Sequence, residues 1–127
     1  MAKVELTGME EMLKMLNMIS ERVATRAEYR ALNKGADVLK EGISERAPRR
    51  TGHLSKSIEK SKVKKSKEGV KYIEVGPNKS AFYGAFLEFG TSTIRAKPFM
   101  APALEEKRDE IYGTMADVLW EELTKKR

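Results

Sequence analysis

The chain has 127 residues, 40% hydrophobic and 35% charged, with a formal net charge of +6 and no cysteine. That length gives one domain, residues 1–127, with one modest core, and the missing cysteines exclude disulfides, thiolate chemistry and Cys-based zinc sites. No apolar run is long enough to span a bilayer, and Met1-Ala2-Lys3-Val4-Glu5 lacks the apolar stretch of a secretory signal.

In chain order, Met9, Met12, Leu13, Leu16 and Ile19 recur at helical spacing and predict a first helix over Gly8–Ile19. Thr7 and Glu10 fit a capping box at its start. Its Met-rich stripe reads as core before it reads as a contact for a neighbouring subunit. Ser20 is the expected N-cap of a longer helix to Arg46, with a stripe through Val23, Ala27, Ala31, Leu32, Ala36, Leu39 and Ile43. Gly35 and Gly42 inside it anticipate the close approach of another backbone, and Pro48 stops the helix by holding Ala47 extended. Leu54–Val63 and Val70–Val75 are strand candidates joined through Gly69. Alternation fails at Val63, which a bulge or a strand projecting beyond the core would explain.

Gly76-Pro77-Asn78 reads as a turn. Ser80–Phe89 reads as a short aromatic helix closed by Gly90, with a further strand over Thr91–Arg95. Pro98 then opens a final helix whose stripe is Met100, Leu104, Ile111, Met115, Val118, Leu119 and Leu123. Lys125, Lys126 and Arg127 place positive charge where that helix's dipole favours it. The fold class that follows is α+β: a small antiparallel sheet packed by the long central helix and the C-terminal helix, with the short N-terminal helix at its edge.

Candidate chemistry is sparse. His53 is the only histidine and has no cysteine or second histidine to share a metal with. Glu88 stands between Leu87 and Phe89 without a second carboxylate to form a catalytic pair, so it reads as a cap or as an ion-pair partner of Arg50 or Arg95. No catalytic, cofactor-binding or metal-binding residue is assigned. Lys56, Lys60, Lys62, Lys64, Lys65 and Lys67 form a basic arm without an interleaved aromatic. Such an arm serves as a solvated edge protected against aggregation, or faces a DNA backbone without reading sequence.

Three junction motifs remain: Ala47-Pro48-Arg49-Arg50-Thr51-Gly52-His53-Leu54, Tyr83-Gly84-Ala85-Phe86-Leu87-Glu88-Phe89-Gly90-Thr91, and Lys97-Pro98-Phe99-Met100-Ala101-Pro102-Ala103-Leu104. In order and spacing they resemble those of the head–tail joining (neck, or tail-completion) proteins of long-tailed bacteriophages, the group that includes lambda-type minor tail protein Z. The family pattern falls on Pro48, Thr51, Gly52, Leu54, Tyr83, Glu88, Phe89, Gly90, Thr91, Pro98 and Phe99. The arginines Arg49 and Arg50 would pair with a neighbouring subunit or with phosphate. The resemblance implies a phage- or prophage-encoded structural protein that joins head and tail as a ring, often sixfold. Its partners would be itself and other head, neck or tail proteins, in the virion and, during assembly, in the host cytoplasm. It implies no cofactor and no membrane, and double-stranded DNA in the neck channel could meet the basic arm. The alternative is a non-specific duplex-binding protein of a mobile element using Lys56–Lys67, although no helix-turn-helix or zinc-finger pattern supports it.

Overall fold

The computed structural model describes residues 2–48, 52–78, 84–93 and 95–127, with the backbone alone at 85 and 86. Arg49, Arg50, Thr51, Ser80, Phe82, Tyr83 and Ile94 lie outside the described residues, as do the expectations resting on them and on the Phe86 side chain. The elements in order are β1 (Ala2–Glu5), α1 (Glu10–Ile19), α2 (Glu21–Arg46), α3 (His53–Lys56), β2 (Ile58–Lys60), β3 (Lys64–Lys65), β4 (Lys71–Pro77), α4 (Gly84–Phe89) and α5 (Met100–Thr124). The sheet is antiparallel, with β4 between β1 on one side and β2 and β3 on the other. A long central helix, a C-terminal helix and a short N-terminal helix pack with it, which is the α+β arrangement expected from periodicity.

The apolar stripe of α2 explains why this helix sits at the centre. Ala24, Ala27, Ala31, Leu32, Ala36, Leu39 and Ile43 are all buried, with Ile73 and Val75 of β4 and Met115 and Leu119 of α5 in the same core. Ser20 caps α2 as expected, its Oγ accepting the Val23 N–H at 3.0 Å. The two helix glycines admit α5: a Cβ at Gly35 would lie 2.9 Å from Met115 Cγ, and one at Gly42 would lie 2.8 Å from Lys107 Cγ. What approaches there is side chain, and not the backbone anticipated.

Several local expectations need correction. Thr7 does not cap α1 and the box does not form; Met9 is the N-cap residue, and Glu10 Oε1 accepts the Gly8 N–H at 3.1 Å instead. Those backbone N–H groups, Glu10's own and Gly8's, hold the Glu10 carboxyl below its usual pKa. Leu54 lies in the helical turn α3 and not in a strand; Ser44 and Ser55 exchange side-chain-to-carbonyl hydrogen bonds of 3.0 and 2.9 Å, tying α3 to α2. The anticipated bulge is real. Lys60 stands opposite Val75 and Lys64 opposite Tyr72, so four steps along one strand match three along the other. At the bulge Ser61 N–H donates to the Glu74 carbonyl (2.8 Å), and Ser61 Oγ accepts the Glu74 N–H (3.0 Å). The extra residue turns Val63 to pack against the core.

Gly76 and Pro77 extend β4 instead of turning it, and Asn78 N–H continues the ladder to the Ser57 carbonyl at 2.8 Å. Proline is tolerated because alternation points its nitrogen away from β2, beyond the last residue paired with β1. No strand forms among the described residues of Thr91–Arg95, which are bends or irregular. Pro98 precedes the N-cap residue Phe99, so Pro102, and not Pro98, occupies the first turn of α5. At the other end Arg127 donates to the Glu122 carbonyl in the last turn, in keeping with the expected dipole complement.

Candidate functional site

The three junction motifs converge on the start of α5. A helix exposes four N–H groups at its N-terminus, and here they belong to Phe99, Met100, Ala101 and position 102. The Glu88 carboxylate, buried at the end of α4, takes three of them: Oε1 accepts from Phe99 (2.8 Å) and Met100 (2.7 Å), and Oε2 from Ala101 (3.0 Å). The fourth position is Pro102, which has no N–H to satisfy. One carboxylate and one proline therefore complete the helix end, and the negative charge also suits the positive end of the helix dipole. Of the roles open to Glu88 in the sequence, the cap is the one the geometry supplies.

The connection between α4 and α5 must reverse to bring Glu88 back over α5. Gly90 permits this at φ +74°, a left-handed conformation strained for residues with a Cβ. Lys97 N–H donates to the Leu87 carbonyl at 2.6 Å and closes the loop. The first motif joins through packing. Gly52, at φ +76°, turns the chain so that buried Leu54 reaches α4, where a Cβ on Gly84 would lie 3.0 Å from Leu54 Cδ1 and 2.7 Å from Pro77 Cγ. Leu54, Gly84, Glu88, Gly90 and Phe99 thus form one brace between α3, β4, α4 and α5. Pro48, Thr91 and Pro98 flank it, and Thr91 and Pro98 are exposed.

The chain matches the family model described as "Bacteriophage HK97-gp10, putative tail-component" over residues 10–90, more than half its length. The chain belongs to the HK97-gp10-like family. It is thereby a member of a family of phage tail components, in keeping with the phage reading of the motifs. The HK97-gp10-like match takes in the first motif and the second as far as Gly90, and ends before Thr91, Pro98, Phe99 and α5. No curated protein and no solved structure matches the chain significantly.

Among the described residues this HK97-gp10-like protein exposes an apolar stretch on α1 and Phe89 on α4, with Tyr29, Val70, Tyr112 and Trp120 exposed elsewhere. On α1, Met9 is buried and Met12 half-buried, whereas Met15, Ile19 and above all Met18 (83% exposed) face outward. On α4, Phe89 is 71% exposed beside the buried Glu88. The basic arm is less cationic than its sequence: Lys60 pairs with Asp37 and Lys64 with Glu74, each at 2.7 Å. The Glu74 hydrogen bond raises the Lys64 pKa and lowers that of Glu74. Lys56, Lys62, Lys65 and Lys67 are exposed, as is His53. Among the described residues no group of three or more His, Cys, Asp or Glu is placed to hold a metal ion, and no helix is long and apolar enough to cross a membrane.

Glu122 is a feature that sequence reasoning missed. It is only 1% exposed, and its carboxylate is held by Arg26 at 3.2 Å, by Arg30, and by Arg127 at 3.5 Å. Burial pushes its pKa up, but hydrogen bonds from Arg30 and Arg26 outweigh that and hold it below the usual value. The signal was present: Glu122 falls on the same helical face as Val118 and Leu119, where a carboxylate needs a partner, and Arg26 and Arg30 lie one turn apart.

Proposed function

We propose that the whole chain acts as one neck or tail-completion domain that joins phage head and tail, assembling as a closed ring in the virion. The HK97-gp10-like match carries this reading. The two exposed patches support the ring: closure needs heterologous contacts, in which one patch meets a different one on the next subunit. Met15, Met18 and Ile19 on α1 supply one candidate, and Phe89 of the aromatic segment the other. In this reading the brace is structural, fixing the angle at which Phe89 is presented, and the chain needs no catalytic group, cofactor or metal. Other head, neck and tail proteins are its further partners, and assembly takes place in the host cytoplasm.

Sedimentation velocity tests the closure. Met18→Glu and Phe89→Glu should each yield monomers, whereas an equimolar mixture should yield dimers, because each variant retains the patch the other lacks. Rings formed by either single variant, or a mixture that stays monomeric, would overturn the assignment of the patches. We assign the Lys56–Lys67 arm to a solvated edge, given the ion pairs at Lys60 and Lys64. Replacing Lys56, Lys62, Lys65 and Lys67 by Gln should leave duplex affinity unchanged; a flattened salt dependence would restore the DNA-facing reading.

A further inference from the structure

The free edge of β1 borders a groove whose chemistry is that of a strand-binding site. Which backbone groups face that edge follows from the ladder. Ser61 N–H donates to the Glu74 carbonyl, so the Glu74 backbone faces β2, and by alternation Ile73 and Val75 face β1. Val4 and Ala2, opposite them, direct their N–H and C=O groups into the sheet. Those of Lys3 and Glu5 point outward, and among the described residues no turn or loop backbone bond reaches them. An open edge of this kind is a template for another strand.

Beside that edge runs a groove of about 370 Å³, floored by Val4 and walled by Leu104, Arg108, Ile111, Tyr112 and Met115 of α5. A second hollow of about 180 Å³ continues it past Leu104 to Ala2 and Phe89. The α5 wall from Leu104 to Met115 rises about 16 Å at about 1.5 Å per residue, room for roughly five strand residues at about 3.3 Å each.

We propose that this groove takes an extended segment of another protein, alternating apolar and acidic side chains, which adds to β1 as a further strand. Side chains on one face of the segment would meet Leu104 and Ile111, and those on the other would lie beside Lys3. Charge selects the partner. The rims carry Lys3 and Arg108 against Glu5; Lys3 pairs with Glu5 at 3.4 Å and lies 4.9 Å from the Tyr72 ring centre, Arg108 pairs with Glu105 at 3.0 Å, and both ion pairs are exposed or half-exposed and exchange readily. A second copy suits the groove poorly, because the chain carries +6 overall and its strand β3 is Lys64–Lys65. The larger groove shares no residue with the ring reading, whereas the adjoining hollow is lined by Phe89, which that reading uses.

The test is an amide NMR titration of the full chain with a capped hexapeptide alternating valine and glutamate, and with its valine–lysine counterpart. The glutamate peptide should shift the Lys3 and Glu5 amides and slow their hydrogen exchange, and the lysine peptide should bind at least tenfold more weakly. Lys3→Pro deletes an outward N–H without touching the β1–β4 ladder. It should weaken binding at least tenfold, whereas Lys3→Gln, which also loses the charge, should cost no more than about threefold. Arg108→Glu should weaken the glutamate peptide and favour the lysine one. No shift at Lys3 and Glu5 at millimolar peptide, equal losses in the Pro and Gln variants, or equal binding of both peptides would overturn the proposal. Protection of these amides in peptide-free protein that grows with its concentration would assign the edge to a second copy and overturn it equally.

Discussion

Removing the Glu88 carboxylate is the sharpest perturbation of the brace. Glu88→Ala leaves the N–H groups of Phe99, Met100 and Ala101 without the acceptors they have at 2.7–3.0 Å. Phe99 and Met100 are buried, so water reaches their amides poorly, whereas Ala101 is exposed and can be solvated. Each buried amide left unsatisfied costs about 1–3 kcal/mol, and losing a negative charge at the helix N-terminus adds about 0.5–1 kcal/mol. The expected loss is therefore about 2.5–7 kcal/mol by these terms, a large part of the roughly 5–15 kcal/mol that holds a domain folded. Glu88→Gln keeps one carbonyl oxygen for the buried pair and turns an NH₂ toward Ala101, so it should lose only about 1–2 kcal/mol. Urea unfolding of the three proteins, compared at constant m-value, measures both differences. An alanine variant within about 1 kcal/mol of the parent, or a glutamine variant as unstable as the alanine one, would refute the cap as the organising contact.

At Gly90, with φ +74°, substitution by Val should destabilise by about 1 kcal/mol or more, and an unchanged melting temperature would contradict the helix-stop assignment. Gly35→Ala places a Cβ 2.9 Å from Met115 Cγ and 3.2 Å from Val4 Cγ1, and should cost about 1–3 kcal/mol through overpacking. Gly42→Ala meets only the Lys107 side chain, which can swing aside, so the gain in helix propensity of about 1 kcal/mol should leave it neutral or stabilised; equal losses at the two glycines would argue against this packing. The folded-state pKa of Glu122 lies below its reference value of 4.5, so its stabilisation is full above that value and lost as pH falls through the folded pKa. Glu122→Gln should therefore be less stable by about 1–3 kcal/mol near neutrality and converge with the parent in acid, and a gap independent of pH in denaturant titrations would contradict the arginine clamp.

Sequence periodicity revealed the long elements because burial of one helix face repeats with the helix. The α2 stripe is legible for that reason, Ser20 is legible as a capping residue type placed just before it, and at Val63 the bulge is the one of two explanations that the register bears out. Short elements set by distant partners were not. β1 contains one buried apolar residue, Val4, and exists because β4 pairs with it; Pro77 continues a strand because its nitrogen faces no neighbour. Glu88 was visible as a carboxylate in apolar company, but its partners are three backbone amides, which no residue type advertises. Pro102, which completes that helix end, stands in the third motif, but Pro98 earlier in the same motif carries the same helix-start signal. The same holds for exposure: Phe89 and Met18 are apolar residues at helical spacing, and only the packed chain separates them from Met9 and Leu16, which turn inward.

Electron microscopy of a phage deleted for this chain tests head–tail joining most directly. The account predicts DNA-filled heads and separate, fully formed tails in the lysate, with joined particles restored when the protein is supplied in trans. Intact, infectious virions produced without it would contradict the account.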